Sequence, residues 1–165
     1  MYDLVVLGGG PAGYLAAERA SAEGMSVCAE RKRFLCGVCL NEGCIPTKTF
    51  LNSAKIYDHT IHGDKFGVTA SDIKIDHKAV VARKNDVRSK LVAGIAAALR
   101  AGKVKVIEAD GQIIGKGEGV DIKAGDEVVS GKKLLIATGS NAVVPPIPGL
   151  KEAIESGFGM TNREI

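Results

Sequence analysis

The chain has no tryptophan, and aromatic residues make up only 4% of its 165 positions. That leaves no platform on which nucleic-acid bases would stack. The formal net charge of +3 is small and the basic residues are scattered, so the electrostatic footprint of a nucleic-acid partner is missing too. No apolar run approaches the roughly 20 residues that cross a bilayer. No leader-type segment precedes Tyr2, where a strand begins at once. These absences point to a cytoplasmic chain without a membrane partner. Four cysteines in such a setting suit catalysis better than a stapled framework. His59, His62 and His77 form no H-x3-H pair with the cysteines, so no metal site is expected. What remains is an ordinary globular composition, 45% hydrophobic and 25% charged, at about the length of one domain.

The pattern along the chain is that of an α/β protein. Tyr2–Leu7 reads as a buried strand, residues 8–13 as a glycine turn, Tyr14–Glu23 as a helix stopped by Gly24, and Ser26–Glu30 as a second strand. A loop is expected over 31–37 and a helix from Pro46 to Tyr57, proline being tolerated in a first turn. Asp76 is placed to cap a long helix ending near Gly102, with Val80, Val87, Leu91, Ile95 and Leu99 as its apolar stripe. Lys103–Glu108 reads as a strand, and Gly111–Ser130 as a small antiparallel meander broken by glycines. Lys133–Ile136 reads as a further buried strand. The Pro145-Pro146-Ile147-Pro148-Gly149 segment reads as an exit linker.

Gly8-x-Gly10-x-x-Gly13 lies between the first strand and its helix, the context this motif requires. Gly8 suits the tight turn, Gly10 close approach of the backbone to a pyrophosphate, and Gly13 close packing of helix on strand. The helix N-terminus offers free N–H groups to phosphates. Glu30 closes the second strand about 20 residues on, where an acid accepts hydrogen bonds from ribose hydroxyls. The set favours nucleotide binding over an unliganded glycine turn.

Cys39 and Cys44 bracket Gly43 shortly after this unit. On a regular helix, five residues rise about 7.5 Å, beyond the roughly 7 Å that a disulfide spans. A bridge therefore requires the backbone to leave the helix, and Gly43 and Pro46 are the residues that permit it. Such a pair suits thiol exchange, with Lys48 and a nearby helix N-terminus available to lower a thiol pKa. Two unpaired buried thiols or half of a metal site are the alternatives. Cys28 reads as inert core, and Cys36 as either a bystander or an alternative disulfide partner.

GGGPAGYLAAERA, LCGVCLNEGCIPTK, Gly111 and LLIATGS together resemble the start of the pyridine nucleotide–disulfide oxidoreductases, and CLNEGCIPTK resembles their dihydrolipoyl dehydrogenase branch. The resemblance implies a Rossmann-like FAD-binding domain over residues 1–150, with a parallel sheet, helices and a small antiparallel meander. Residues 151–165 would be a linker or the start of an NAD-binding domain. It implies FAD at the first turn. Gly8, Gly10, Pro11, Ala12 and Gly13 would hold the pyrophosphate, and Glu30 and Arg31 the adenosine side. Gly37, Val38 and Cys39 would line the cofactor, Lys48 would approach the flavin ring, Gly111 the adenine, and Ala137, Thr138 and Gly139 would close over it. Cys39 would exchange with the substrate dithiol and Cys44 would face the flavin. The implied route runs from protein-bound dihydrolipoamide through the Cys39–Cys44 disulfide and FAD to NAD. The implied partner is a lipoyl-bearing protein of a 2-oxo acid dehydrogenase or glycine cleavage complex.

This chain departs from the family pattern at Cys36, where the family motif has glycine, and at Ala109, where many relatives also have glycine. Family members run to several hundred residues, with an NAD site and a C-terminal interface domain whose His–Glu pair acts across a homodimer. The chain is therefore expected to be the N-terminal part of a longer enzyme, inactive alone. The alternatives are another disulfide reductase, of glutathione or mercuric type, and a stand-alone nucleotide-binding or thiol-sensing module.

Overall fold

Strands covered on both faces read as continuous apolar runs rather than alternating ones, and Leu4–Leu7 and Val27–Ala29 of the first two strands have that character. In the computed structural model, which describes residues 1–164 and all their side chains but that of Lys116, β1 (Tyr2–Leu7) and β2 (Val27–Arg31) lie parallel, with Val5 beside Cys28 and Leu7 beside Glu30. β3 (Lys105–Glu108) continues the parallel set beside β2. On the other side of β1 runs β6 (Glu127–Ile136), also parallel to it. β5 (Val120–Ala124) and β4 (Gly111–Lys116) follow antiparallel, giving one six-stranded sheet in the order β3-β2-β1-β6-β5-β4.

β6 differs from the expectation of a meander followed by a separate strand at Lys133. It is continuous: its first half pairs with β5 and its second half with β1. Ser130 and Gly131 sit mid-strand, Ser130 opposite Asp121 and Gly131 opposite both Val120 and Tyr2, so they make no turn. The parallel sheet and the meander are one surface.

Alternate residues of β1 feed two cores. Val6 joins Val27, Ala29, Leu35 and Leu40 under α1 (Pro11–Ala22) and α4 (His77–Ala101), while Val5 and Leu7 join Cys28, Ile107, Ile122 and Val129 on the meander side. Asp76 caps α4 as expected, its Oδ1 accepting from the N–H groups of Lys78 and Ala79 at 2.9 and 3.1 Å, a cap of order 1 kcal/mol. The stripe on α4 is shifted from the expected one. Leu91 is exposed, and Val92, Ile95, Ala96 and Leu99 make the core contact. The α4 residues on that core all lie in its C-terminal half, and α4 also packs along α3 (Cys44–Ile61).

Two helices span 37–61, where the sequence reading has one, from Pro46 to Tyr57. α2 (Gly37–Glu42) precedes α3, and Gly43 between them has φ −140° and ψ −109°, outside the helical region. A short α5 (Leu150–Glu155) follows the proline segment.

Candidate active site

The carboxyl ends of β1, β2 and β6 converge on a cleft of about 520 Å³, the edge of an open α/β sheet where ligands bind. Of the residues singled out from the sequence, Gly8, Gly10, Pro11, Glu30, Arg31, Gly37, Val38, Cys39, Gly111, Ala137, Thr138 and Gly139 line it. Ala12, Gly13, Cys44 and Lys48 do not line it. Lys48 is exposed on α3, one turn beyond Cys44.

The three turn glycines have separable reasons. Gly8 has φ +115°, and a Cβ there would meet the Ala137 carbonyl oxygen at 2.2 Å. A Cβ on Gly13 would stand 1.8 Å from the Gly8 oxygen, so helix and turn touch through it. Gly10 is different: a Cβ there finds only the Gly37 Cα, at 3.9 Å, and the residue borders the cleft. The protein itself does not require glycine at position 10, whereas a ligand lying against the backbone does. Gly10 caps α1 without a side-chain hydrogen bond and no acid stands in the first turn. The first helical bond is Tyr14 N–H to Gly10 oxygen, so the N–H groups of Ala12 and Gly13 are the orphan donors of the helix end. Ala12 and Gly13 thus belong to the turn through their backbone.

Glu30 is 3% exposed and its Oε1 has no hydrogen-bond partner. Burial pushes its carboxyl above the ordinary range, opposed by the N–H that Gly111 donates to it. A buried acceptor without a donor is costly, and here it borders the cleft. Arg31 pairs with Glu108, and Lys32 with Asp110 at 2.6 Å. The charge run at 30–33 hid these partners, which come from the end of the neighbouring strand β3 and the connection after it. The cleft also uses Phe34, Glu42, Ser140, Asn141 and Arg163, none of which carried a local signal.

Cys39 and Cys44 form a disulfide with their Cα atoms 4.7 Å apart. The bend at Gly43 shortens the helical rise to that distance, and a Cβ on Gly43 would crowd the Val38 oxygen at 3.1 Å and the Cys39 Cα at 3.3 Å. Cys39 is half-buried in the cleft wall, while Cys44 opens α3 and is exposed. Asn41, itself buried, donates to the carbonyls of Leu35 and Gly37, each at 2.8 Å, and pins α2. A Cβ on Gly37 would stand 2.8 Å from the Gly10 Cα, so α2 starts in contact with the glycine turn.

Cys36 and Cys28 are buried free thiols, each pushed up to about 11 by burial. Cys36 packs in the core under α1 and α4 rather than pairing. It holds the left-handed conformation (φ +76°), and its N–H donates to the Gly9 oxygen at 2.7 Å. Its position explains why glycine suits that site. Among the described residues no group of three or more His, Cys, Asp or Glu could hold a metal ion, and no helix is long and apolar enough to cross a membrane.

A glycine turn, a buried acid with a free acceptor, and a disulfide that a bend holds with Cys39 in the wall of the same cleft define a nucleotide-dependent disulfide oxidoreductase architecture. Residues 2–164 match the pyridine nucleotide-disulphide oxidoreductase family, and the chain belongs to that family. It is 43% identical over 171 residues to a dihydrolipoyl dehydrogenase of Acholeplasma laidlawii, covering 99% of this chain and 48% of that protein. To a dihydrolipoyl dehydrogenase of Mycoplasma genitalium it is 38% identical over 158 residues, covering 95% of this chain and 34% of that one. To a leghemoglobin reductase of Vigna unguiculata it is 39% identical over 171 residues, covering 99% and 32%. The chain thus spans between about a third and a half of the length of these relatives.

Proposed function

We propose that the chain is the FAD-binding, disulfide-bearing N-terminal part of a dihydrolipoyl dehydrogenase. The observation that carries this reading is the Cys39–Cys44 disulfide, whose Cys39 stands in the wall of the cleft that also holds the glycine turn and the unpartnered Glu30 oxygen. The residues present fit FAD. The open side of Gly10 and the orphan N–H groups of Ala12 and Gly13 suit a pyrophosphate, and Glu30 Oε1 suits a ribose hydroxyl. Arg31 and Gly111 would flank the adenosine, Gly37 and Val38 would line the cofactor, and Ala137, Thr138 and Gly139 would close the site. Lys48 near the ring, Cys39 as the exchanging thiol and Cys44 as the flavin-side thiol follow from the family resemblance. FAD, when bound, supplies a two-electron carrier beside the disulfide.

The step assigned to this chain's own residues is thiol–disulfide exchange. A thiolate of the lipoyl arm attacks one sulfur of the Cys39–Cys44 bond, expelling the other as thiolate. The second lipoyl thiol then displaces the mixed disulfide. The arm leaves as cyclic disulfide having lost two electrons and two protons, and Cys39 and Cys44 hold both as a dithiol. We assign to this chain's residues this half-reaction alone. We place the FAD domain at 1–150 and the link to an NAD-binding domain at 151–165, within a cytoplasmic homodimer serving a lipoyl-bearing protein. The relatives support this branch over glutathione or mercuric reductases.

The test is anaerobic incubation of the oxidised chain with dihydrolipoamide, with thiols counted after denaturation and FAD titrated separately. A gain of two thiols that is lost in Cys44→Ser is expected. No gain in the wild-type chain removes the proposal.

A further inference from the structure

The redox bend is held from outside by the far end of the chain. α2 is a six-residue helix, too short to persist without tertiary support. Its first part is pinned by Asn41, but its last residue, Glu42, projects its carbonyl beyond the helix, where helix ends leave acceptors unpaired. The Asn162 Nδ2 donates to that carbonyl at 2.9 Å across 120 residues of sequence. The Arg163 Nε pairs with Glu42 Oε2 at 3.2 Å, with the two side chains only 25% and 13% exposed. Arg163 Nη2 also donates to Asn141 Oδ1 at 2.8 Å, fastening the same guanidinium to the loop after β6. The turn that presents Arg163 is ordered within itself, since Glu164 accepts from the N–H and hydroxyl of Thr161, each at 2.6 Å. Glu42 stands between the two redox cysteines, next to the Gly43 bend.

We propose that Arg163 and Asn162 are positioning residues for the redox pair. By gripping Glu42 they hold the end of α2 against the start of α3, keep Cys39 and Cys44 at bonding distance, and thereby set how readily the disulfide is reduced. The inference rests on the redox role proposed above. When the S–S bond is intact it holds the bend by itself. When both sulfurs are thiols, the grip on Glu42 is what keeps one thiol presented to the other, and pre-organisation of that kind favours bond formation. Loss of the grip leaves the disulfide form nearly unchanged and loosens the dithiol form, so the bond becomes easier to reduce.

The experiment equilibrates the full chain with reduced and oxidised dithiothreitol at fixed ratios, then traps thiols by alkylation in denaturant. Dithiothreitol gives up two electrons and two protons as it closes its ring disulfide, and Cys39 and Cys44 take up both. Cys28 and Cys36 are thiols in both states and cancel. Arg163→Ala and Asn162→Ala are expected to raise the equilibrium constant for reduction about three- to tenfold, the range in which members of one hydrogen-bond network couple; tenfold corresponds to about 30 mV for a two-electron couple. Arg163→Lys keeps a charge for Glu42 without the fork that also reaches Asn141 and should fall between. Lys151→Ala, which removes an exposed i,i+4 pair on α5, should leave the constant unchanged. Melting of the oxidised chain is followed alongside. Reduced melting temperature with equilibrium constants within about twofold of wild type makes the contact merely structural and overturns the inference. Should Arg163→Ala not fold, Asn162→Ala and Arg163→Lys answer the same question. A wild-type chain that yields no two-thiol couple sinks the redox reading itself, an outcome distinct from an unaltered couple in the variants.

Discussion

A Cβ added to Gly111 would stand 2.9 Å from the carboxyl carbon of Glu30, and the Gly111 N–H donates to that carboxylate. The start of β4 therefore shapes the pocket of the buried acid, and the charge of Glu30 is tolerated through one donor while Oε1 waits for another.

Because burial holds the folded Glu30 carboxyl above its ordinary range, the folded chain retains that proton to higher pH than the unfolded one. Stability contributed by this group is present in acid and is lost as pH rises through the folded pKa. Glu30→Gln removes the penalty. At neutral pH the ligand-free variant should be more stable by about 1 kcal/mol, with the gain vanishing below the carboxylate range, and its affinity for FAD should fall about tenfold, as for loss of a charge-assisted bond. Melting curves against pH and a fluorescence titration check both. A lower neutral-pH melting temperature in the variant contradicts the assignment.

Gly10 and Gly13 separate binding from folding. Gly13→Ala places a methyl 1.8 Å from the Gly8 oxygen and should cost about 3 kcal/mol. Gly10→Ala meets nothing closer than 3.9 Å at φ −75° and should leave stability within about 1 kcal/mol. It should nevertheless weaken FAD binding about tenfold or more, the effect of one intruding methyl. Denaturant melts with FAD titrations distinguish the two. Equal affinity in Gly10→Ala and wild type would mean that no ligand lies against that backbone.

The thiols should report in two classes. The free pair Cys28 and Cys36, each pushed up to about 11 by burial, carries little thiolate at mildly alkaline pH. Alkylation of the native oxidised chain should be about a hundredfold slower than that of an exposed cysteine, whose pKa is near 8.5. Denaturation should release two reactive thiols before reduction and four after it. Peptide mapping that finds Cys36 in the disulfide would reverse the pairing.

Cys36 holds a left-handed backbone (φ +76°), which costs a non-glycine residue about 1 kcal/mol. Cys36→Ala retains that strain and gives up the buried sulfur, a loss of about 1 kcal/mol. Cys36→Gly gives up the sulfur and relieves the strain. The order of stability should be wild type close to Gly, with Ala lowest, the reverse of the usual Ala-over-Gly ranking within helices. Urea melts of the three proteins decide it.

Several features were legible locally. The strand–turn–helix around Gly8 to Gly13, the Asp76 cap and the demand for a bend between Cys39 and Cys44 each depend on a few adjacent residues whose φ/ψ range or hydrogen-bonding chemistry admits few outcomes. Others required the folded chain. α2 meets Asn162 and Arg163 at Glu42, β6 runs unbroken because partners flank it on both sides, and Val92 rather than Leu91 faces the core because of where α4 packs. Glu42, Asn141 and Arg163 join the cleft only by return of the chain. Sequence alone determined the backbone chemistry of the turn and the bend, since those are contests among near neighbours. The tertiary structure decided what grips them, because a contact spanning 120 residues leaves no periodicity or spacing to read.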